Sequence, residues 1–394
     1  MAVSRGLIRM TRLLFLISED WYFWSHRLSL ARAAVAAGYE VALATRVSRY
    51  QKAIEEQKIR VYPLQWFERA SATPGRELAT MYELARIYRD FRPDVAHHVA
   101  LKPVIYGTLA ARLTGASRIV NALAGLGFVF QSSSASARVL RPLVQSAMRL
   151  TLNLHNGCVI VQNDADRRAL IDRRLTSADR IEIIRGSGVD LAQFVATPEP
   201  QGAPIVVLPA RMLWDKGVRE FVEAARILRA AGAQARFVLV GQPDRQNPHS
   251  VTRSQLQAWV HEGAVEWWGL RLDMPAVLSH SCIVCLPSYH EGLPKVLLEA
   301  AACARPIVAT DIPGCREIAH AGQNALLVPV GDAPALAHAI QALLSDPQMR
   351  RDFGARGRRI VEEQFTDQMV AEQTLALYAR LLESTAAPAT GQRV

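Results

Sequence analysis

The sequence has few cysteines and no long apolar run near its start, and these two absences narrow the class of protein. Its five cysteines are an odd number without the spacing of a disulfide framework, so reduced thiols in a cytosolic protein are expected. The first apolar run extends only from Leu13 to Ile17 before Glu19 and Asp20, which is too short for an export signal or a membrane span. The sequence therefore predicts a cytosolic protein that does not cross a membrane.

The basic residues are concentrated in one half of the chain. Residues 1–196 contain 27 Arg and Lys against 16 Asp and Glu, a net charge of +11, whereas residues 197–394 contain 19 against 20, a net charge of −1. A basic half is compatible with nucleic acid, anionic lipid or a phosphorylated substrate, and also with a soluble surface that is merely rich in arginine.

Length and periodicity predict two α/β domains. Half of the 394 residues are hydrophobic, and the chain is longer than one core usually serves. Strand and helix patterns alternate in the βαβ order of a doubly wound sheet, and the order starts again near Ile205. The expected parts are a first domain at residues 1–195, a linker at 196–204, a second domain at 205–370, and a terminal helix and tail at 371–394.

The most informative stretch is a strand, a loop and a helix between Cys282 and Ala302. Pro294 suits the first helical position, which leaves amides around Gly292 and Leu293 at a helix start, where an anion is favoured. Glu291 lies in the loop, and Glu299 lies about 7 Å further along the helix. The pattern predicts an anion site bracketed by two carboxylates.

A second loop, after the strand that begins at Ile205, carries Arg211 and Lys216. One planar guanidinium and one compact ammonium suit two phosphates whose negative charge grows as a leaving group departs. As an isolated pair, however, these two cations would not be informative.

These motifs resemble those of the retaining glycosyltransferases of family 4. The resemblance rests on Glu291-x7-Glu299, preceded by Pro-Ser and containing Gly-Leu-Pro, and on Arg211-x4-Lys216. It implies the GT-B fold, with two Rossmann-like domains facing a cleft, and transfer with retention of configuration. It further implies that Arg211 and Lys216 bind the donor diphosphate. Glu291 would hold the donor sugar and Glu299 the ribose, and no metal cofactor would be needed.

The resemblance also suggests further residues that bind the donor. The family places the nucleotide base near strand ends, which here carry Gly241 and Arg271. It often has a histidine that contacts the donor sugar, and His97 and His98 occupy that place. Because adjacent residues of a strand face opposite ways, the pattern does not decide between them, although we assign His98 to catalysis and His97 to donor binding. A metal site at these histidines is a weak alternative.

An aromatic stretch, residues 18–27, is expected to form a loop in the place where many family members have a glycine-rich turn. A subset of bacterial transferases that build surface polysaccharides has a similar stretch, so Trp21 and His26, together with Lys102, are candidates for the acceptor side. Half-buried packing against the following helix is an equally good explanation for the aromatic residues.

The helix expected at residues 136–153 combines apolar residues with Arg138, Arg141 and Arg149. This composition suits an anionic membrane surface, and it also suits an ordinary packed helix. Asp164 and Asp166 resemble a metal motif, but their place at a helix start favours carboxylates that stabilise the helix.

The sequence thus predicts a transferase that moves a hexose or N-acetylhexosamine from a UDP-sugar to a glycan on a polyprenyl diphosphate, at the inner face of the cytoplasmic membrane. The alternatives are a UDP-sugar epimerase of the same architecture and a basic protein that binds a membrane surface or nucleic acid without catalysis. The intact set of Arg211, Lys216, Glu291 and Glu299 argues against a binder, so no nucleic acid is expected.

Overall fold

The computed structural model describes residues 10–68, 73–116, 118–125, 135–154, 156–244 and 246–383. These residues form two compact units. One unit includes the chain up to Ile184 and from Val370 onward, and the other extends from Arg185 to Met369. Each unit contains one parallel sheet with helices on both faces.

The sheet of the first unit has the strand order β3-β2-β1-β4-β5-β6-β7, and all of its pairs are parallel. Nearly every residue of β1, β2 and β4 is buried, as expected for strands that are covered on both faces. The strands are β1 (Arg12–Glu19), β2 (Glu40–Arg46), β3 (Ile59–Pro63), β4 (Val95–Val99), β5 (Arg118–Ala122), β6 (Gly157–Val161) and β7 (Ile181–Ile183).

The described helices of the first unit divide between the two faces of this sheet. They are α1 (Asp20–His26), α2 (Leu28–Ala36), α3 (Gln51–Glu55), α4 (Pro74–Phe91), α5 (Leu101–Thr114), α6 (Ala135–Leu152), α7 (Asp164–Asp172) and, at the end of the chain, α15 (Asp367–Glu383). Helices α1, α2 and α15 pack on the face that carries Phe15, whereas α4 and α5 pack on the opposite face around Leu14 and Leu16.

The sheet of the second unit has the order β10-β9-β8-β11-β12-β13. Its strands are β8 (Ile205–Pro209), β9 (Arg236–Val240), β10 (Glu266–Trp267), β11 (Ile283–Leu286), β12 (Ile307–Thr310) and β13 (Ala325–Val328). Its described helices are α8 (Val218–Ala230), α9 (Arg253–His261), α10 (Met274–Ser279), α11 (Lys295–Ala302), α12 (Pro313–Arg316), α13 (Ala333–Ser345) and α14 (Pro347–Gln364).

In both sheets the strand order reverses beside the first strand of the unit. In the first unit β1 lies between β2 and β4, and in the second β8 lies between β9 and β11. Ligands of such sheets bind at the carboxyl ends of the strands next to this reversal. The predicted fold class, two doubly wound α/β domains, is confirmed.

The division between the units differs from the expected domain limits. The first unit ends at Ile184 rather than at residue 195. The segment expected to be a linker, residues 196–204, is bound to the second unit: the buried Arg305 donates to the Thr197 carbonyl at 2.9 Å, and the Arg350 guanidinium pairs with Glu199 at 2.6 Å. Its proline-rich composition is typical of a linker, but these distant arginines fix it in place.

Candidate active site

The central motif lies at the carboxyl end of β11, beside the strand reversal of the second sheet. Helix α11 begins at Lys295, and Pro294 is its N-cap residue with φ −73° and ψ 110°. The prediction placed Pro294 at the first position of the helix, whereas it is the N-cap residue just before that position. Its carbonyl accepts the amide of Leu297 at 3.0 Å. Leu293 packs its side chain in the hydrophobic core, only 8% exposed.

The loop before α11 is attached to the loop after β8 by backbone contacts. The Asp215 carbonyl accepts the Tyr289 amide at 2.9 Å and the Ser288 hydroxyl at 3.1 Å. Gly217 has a φ of +71°, and a Cβ there would lie 2.1 Å from the Pro287 carbonyl oxygen. Only glycine permits this approach, so the sequence holds the two loops in contact.

This contact places Lys216 against Glu291, although 75 residues separate them in sequence. The Lys216 Nζ lies 2.6 Å from the Glu291 Oε1, and the two side chains are only 15% and 14% exposed. Gly314 lies beneath this loop, since a Cβ there would be 2.3 Å from the Glu291 carbonyl oxygen. Two residues predicted to act on the same donor are thus brought together.

Arg211, the other predicted cation, is more open. Its side chain is 43% exposed, and its Nη1 donates to Asp244 at 2.9 Å. Gly241, with φ +141°, allows the chain after β9 to lie against the loop that carries Arg211, because a Cβ there would be 1.9 Å from the Ala210 carbonyl oxygen. Asp244 was not predicted, and its place just after the end of β9 is the signal that points to it.

Glu299 lies within α11, one turn after Lys295. Its Oε1 is 3.5 Å from the Lys295 Nζ, and the side chain is 12% exposed. Burial raises the pKa of Glu299 above its ordinary value, and the Lys295 ammonium lowers it in part. A carboxylate that is held in a poorly solvated place gains from polar hydrogen-bond donors such as sugar hydroxyls.

A second pairing in this loop was missed by sequence reasoning. The Tyr289 hydroxyl donates to the Glu220 Oε1 at 2.9 Å, and burial together with this carboxylate raises the pKa of Tyr289. The Glu220 side chain comes from the first turn of α8 and is buried. This contact connects the loop of the motif to α8 and orders it further.

The two residues predicted near the nucleotide base lie at neighbouring strand ends. Gly241 donates its amide to the Gly269 carbonyl at 2.7 Å and accepts from the Trp267 indole at 2.7 Å. Arg271 pairs with Asp273, Nε to Oδ1, at 2.8 Å and is 40% exposed. This pairing lowers the pKa of Asp273 to about 2.

His97 and His98 face opposite sides of the first sheet, as their alternation in β4 predicts, but neither is at the surface. His98 is fully buried, and its two ring nitrogens contact the Tyr88 hydroxyl at 2.7 Å and Asn121 at 2.8 Å. Burial lowers the pKa of His98 to about 4. The protein core already occupies the hydrogen-bonding positions of His98, which does not favour its assignment to catalysis, and that role stays a prediction.

His97 is 2% exposed and bonds the Tyr378 hydroxyl through its Nδ1. Burial, followed by the charge of Arg27, holds its pKa well below the ordinary value. Its Nε2 has no partner among the described residues. In this structure His97 fastens α15 to the first sheet, and contact with a donor remains a prediction.

The expected loop at residues 18–27 is instead the helix α1. Asp20 is fully buried in it and accepts the amides of Ser48, Arg49 and Tyr50 at 2.8–2.9 Å. Burial alone would raise the pKa of Asp20, but the hydrogen bonds from Ser48 and its neighbours outweigh burial and lower it. This anchor between two strand ends explains why the stretch is ordered without glycine.

The three candidates for the acceptor side lie at the carboxyl edge of the first sheet. Trp21 packs edge-on against Tyr22 with ring centres 6.0 Å apart, and Tyr22 stacks on His26 at 4.2 Å. Lys102 is 16% exposed and pairs with Glu77 at 3.0 Å. Lys102 thus contacts its own unit, whereas Trp21 and His26 remain partly exposed.

A membrane-spanning helix and a metal cluster are both absent from the described residues. No helix among them is both long and apolar enough to span a membrane. Nor do these residues bring together three or more His, Cys, Asp or Glu side chains in a group suited to a metal ion. All five cysteines are buried and unpaired, including Cys282 and Cys285 at β11.

Comparison with known proteins identifies the family. The family described as "Glycosyl transferase 4-like" matches residues 12–163, and the family described as "Glycosyl transferases group 1" matches residues 203–346. The first match includes β1 to β6 and the second includes β8 to β13. The chain is a glycosyltransferase of the family 4 type with the GT-B fold.

Curated relatives of this glycosyltransferase extend over nearly its whole length. It is 27% identical over 386 residues to the N,N'-diacetylbacillosaminyl-diphospho-undecaprenol alpha-1,3-N-acetylgalactosaminyltransferase of Campylobacter jejuni, covering 95% of this chain and 100% of the relative. It is 25% identical over 387 residues to the putative glycosyltransferase EpsD of Bacillus subtilis, covering 94% and 97%.

Solved structures agree on the fold of the glycosyltransferase. The sucrose-phosphate synthase of Thermosynechococcus elongatus matches with a TM-score of 0.80 at 23% identity, covering 95% of this chain and 100% of that one. HepE of Anabaena, solved in complex with UDP-glucose, matches with a TM-score of 0.75 at 19% identity, covering 95% and 99%. The individual roles of the site residues remain predictions.

Proposed function

We propose that this glycosyltransferase moves a hexose or N-acetylhexosamine from a UDP-sugar to a hydroxyl group, with retention of configuration. The observation that carries the proposal is the contact of Lys216 with Glu291 at 2.6 Å. A cation suited to a diphosphate and a carboxylate suited to a sugar lie side by side, and in a nucleotide-sugar the diphosphate is bonded directly to the sugar.

The proposed division of labour follows the charge that develops in the reaction. Arg211 and Lys216 neutralise the departing diphosphate. Glu291 stabilises the positive charge of a transition state that resembles an oxocarbenium ion. Glu299 accepts hydrogen bonds from the ribose, and the leaving phosphate receives the proton of the acceptor hydroxyl.

We propose that the reaction needs no metal ion, because two cationic side chains already serve the two phosphates. The test is transfer activity in the presence of excess EDTA. Undiminished turnover is expected. Activity that EDTA abolishes and Mg²⁺ or Mn²⁺ restores contradicts this part of the proposal.

The acceptor that we propose is a glycan on a polyprenyl diphosphate, bound by the first unit at the cytoplasmic face of the membrane. The relative from Campylobacter jejuni is named for a sugar on diphospho-undecaprenol, and the first half of the chain has the net charge of +11. Helix α6 also exposes apolar side chains, with Leu143 68% and Leu150 53% exposed. These features suit a lipid boundary beside anionic head groups.

Arg149 of α6 contributes less to this surface than the sequence suggests. The Arg149 guanidinium donates to the carbonyls of Arg173 and Arg174 at 3.2 and 3.3 Å, so it is engaged at the end of α7. The side chain of Arg138 lies outside the described residues. The exposed leucines are therefore the sharper test of the membrane surface.

A vesicle experiment examines this surface. Leu143→Ser with Leu150→Ser should reduce binding to anionic vesicles at low salt. The matched control is Leu272→Ser, which changes a leucine that is 65% exposed in the second unit. If vesicle binding does not depend on lipid charge, on salt or on the two leucines of α6, the membrane part of the proposal is wrong.

Product analysis tests the reaction itself. The enzyme is first screened with UDP-sugars by thermal shift, because a ligand that binds the folded state raises the melting temperature. The UDP-sugar that binds is then incubated with the enzyme and with a synthetic acceptor, an N-acetylhexosamine on farnesyl diphosphate. We expect UDP release that requires this acceptor, whereas a free epimer of the sugar would indicate the epimerase instead.

A further inference from the structure

One exposed tryptophan lies on a segment that is otherwise firmly held. Residues 64–68 follow β3 at the carboxyl edge of the first sheet. Within this segment Leu64 is 5% exposed and Phe67 is fully buried, yet the side chain of Trp66 is 49% exposed. Among the described residues, no aromatic ring or cation is stacked on its indole. The chain therefore presents a large aromatic surface from a fixed backbone.

The carboxylate of Glu83 holds the backbone of this segment. Its Oε1 accepts the Gln65 amide at 2.9 Å, and its Oε2 accepts the Trp66 amide at 3.3 Å. Glu83 itself is 8% exposed. Such charge-assisted hydrogen bonds are stronger than neutral ones, so the conformation of residues 65 and 66 is defined before any ligand arrives.

Lys102 fixes the other end of the segment beside the strand reversal. Its Nζ donates to the Glu68 carbonyl at 2.6 Å and lies 5.4 Å from the centre of the Phe67 ring. Lys102 is the second residue of α5, directly after β4, and β4 pairs with β1 where the strand order reverses. The segment thus extends from the edge strand back to the place where sheets of this kind bind ligands.

The charged side chains that the structure describes near Trp66 already have partners, and the Glu83 carboxylate is bound by backbone amides. Glu68 forms an ion pair with Arg76, and Glu77 pairs with Lys102 at 3.0 Å. Gln65, the other exposed residue of the segment, is neutral. An aromatic ring beside an amide, among charged groups that already have partners, suits a neutral polyhydroxylated ligand better than an anionic one.

We propose that Trp66 is an acceptor-binding residue whose indole face stacks on a sugar ring of the acceptor glycan, with Gln65 bonding its hydroxyls. The inference rests on the proposed function and adds to it a subsite for the sugar of the acceptor rather than for its lipid diphosphate. Lys102, predicted to touch the acceptor, acts here as a positioning residue for this segment. A tryptophan side chain has only two rotatable bonds and its backbone is held here, so little conformational entropy is lost when a sugar binds.

Kinetics of Trp66→Ala test the proposal. With N-acetylhexosamine on farnesyl diphosphate as acceptor, KM for the acceptor should rise about tenfold, the effect of losing one stacked aromatic contact. KM for the donor and the melting temperature should not change. Trp66→Phe, which keeps an aromatic face, should recover part of the affinity.

The control is Tyr82→Ala, which removes an aromatic residue on α4 that is 72% exposed and should leave both KM values unchanged. Saturation-transfer NMR measures binding of the methyl glycoside of the same sugar. This assay reports on Trp66 in the absence of donor, lipid and turnover. UDP release by the wild-type enzyme reports separately on the proposed function.

Three outcomes overturn the proposal. The first is a Trp66→Ala variant whose acceptor KM and glycoside binding are both unchanged. The second is a Tyr82→Ala variant whose acceptor KM rises as much as that of Trp66→Ala. The third is a Trp66→Ala variant that no longer binds vesicles but still binds the glycoside. The last result would assign the indole to the lipid surface instead.

Discussion

Replacing Glu291 by Gln should separate turnover from nucleotide affinity. The change keeps the shape of the side chain and removes the charge that faces Lys216 at 2.6 Å. If Glu291 stabilises the developing positive charge, turnover should fall about a hundredfold or more. If Lys216 must leave Glu291 to bind the diphosphate, UDP should bind the variant at least as well as it binds the wild type.

The distance between Lys216 and Glu291 determines how much UDP affinity should change. At an effective dielectric constant of about 20, two unit charges at this distance attract by about 6 kcal/mol, and desolvation of both groups offsets most of it. A charge-assisted hydrogen bond of this kind contributes about 1.5–3 kcal/mol net. Removal of this competitor for Lys216 should tighten UDP binding by about tenfold to a hundredfold. The ligand-free variant should also melt at a lower temperature, because Lys216 is left without its carboxylate.

Calorimetric titration with UDP, steady-state turnover and thermal melting measure the three quantities. Glu262→Gln is the matched control, since it removes a carboxylate that lies 2.6 Å from Arg226 but belongs to an ion pair outside the site. The control should alter neither turnover nor UDP affinity. Weaker UDP binding in Glu291→Gln, or turnover equal to that of the wild type, would refute the reasoning.

Three further results are expected. Arg211→Ala should reduce turnover about a hundredfold with an unchanged melting temperature, because the side chain is 43% exposed; an active variant, measured by UDP release, contradicts its role. Glu299→Gln should weaken UDP binding by about 1–3 kcal/mol yet raise the melting temperature at pH 8. Its raised pKa makes the charged form a cost to folding above that pKa, and the difference should vanish as the pH falls below the ordinary value. The pKa of His98 is lowered to about 4, so the free energy of unfolding should fall by about 3 kcal/mol as the pH falls from about 6.5 to 4. Chemical denaturation across this pH range measures the change. His338→Gln, at an exposed histidine, is the control and should leave the pH dependence of the unfolding free energy unchanged.

The sequence predicted the fold because burial on both faces leaves a continuous apolar run in each central strand. The run from Leu13 to Ile17 became β1, Arg12–Glu19, and the helix expected at 136–153 became α6, Ala135–Leu152. The expected loop at residues 18–27 was wrong for a different reason. The helix there depends on Asp20 and the amides after β2, which are separated from it by 28 residues or more and leave no local pattern.

The candidate site was predictable as a set of residues and not as a set of contacts. Spacing brought Lys216 and Glu291 into one hypothesis, but their ion pair depends on the approach of Gly217 to Pro287, which only the folded loops show. His98 shows the converse. A histidine at a strand end has the same appearance in sequence whether it faces a ligand or, as here, Tyr88 in the core.

The segment at 196–204 shows most clearly why composition alone misleads. Proline and glycine predict a linker there because such residues rarely form regular structure. Three arginines of the second unit nevertheless bind this stretch or the residues just before it. Arg305 donates to Thr197, and Arg350 pairs with Glu199. Arg358 donates to the Phe194 carbonyl at 2.8 Å. Each lies more than 100 residues away, and Arg305 and Arg350 are buried. The chain leaves the first unit at residues 184–185, before this stretch begins. Irregular backbone is therefore part of the second unit, because the buried guanidinium of Arg305 satisfies the carbonyls of Thr197 and Pro198, which a strand or helix would otherwise pair.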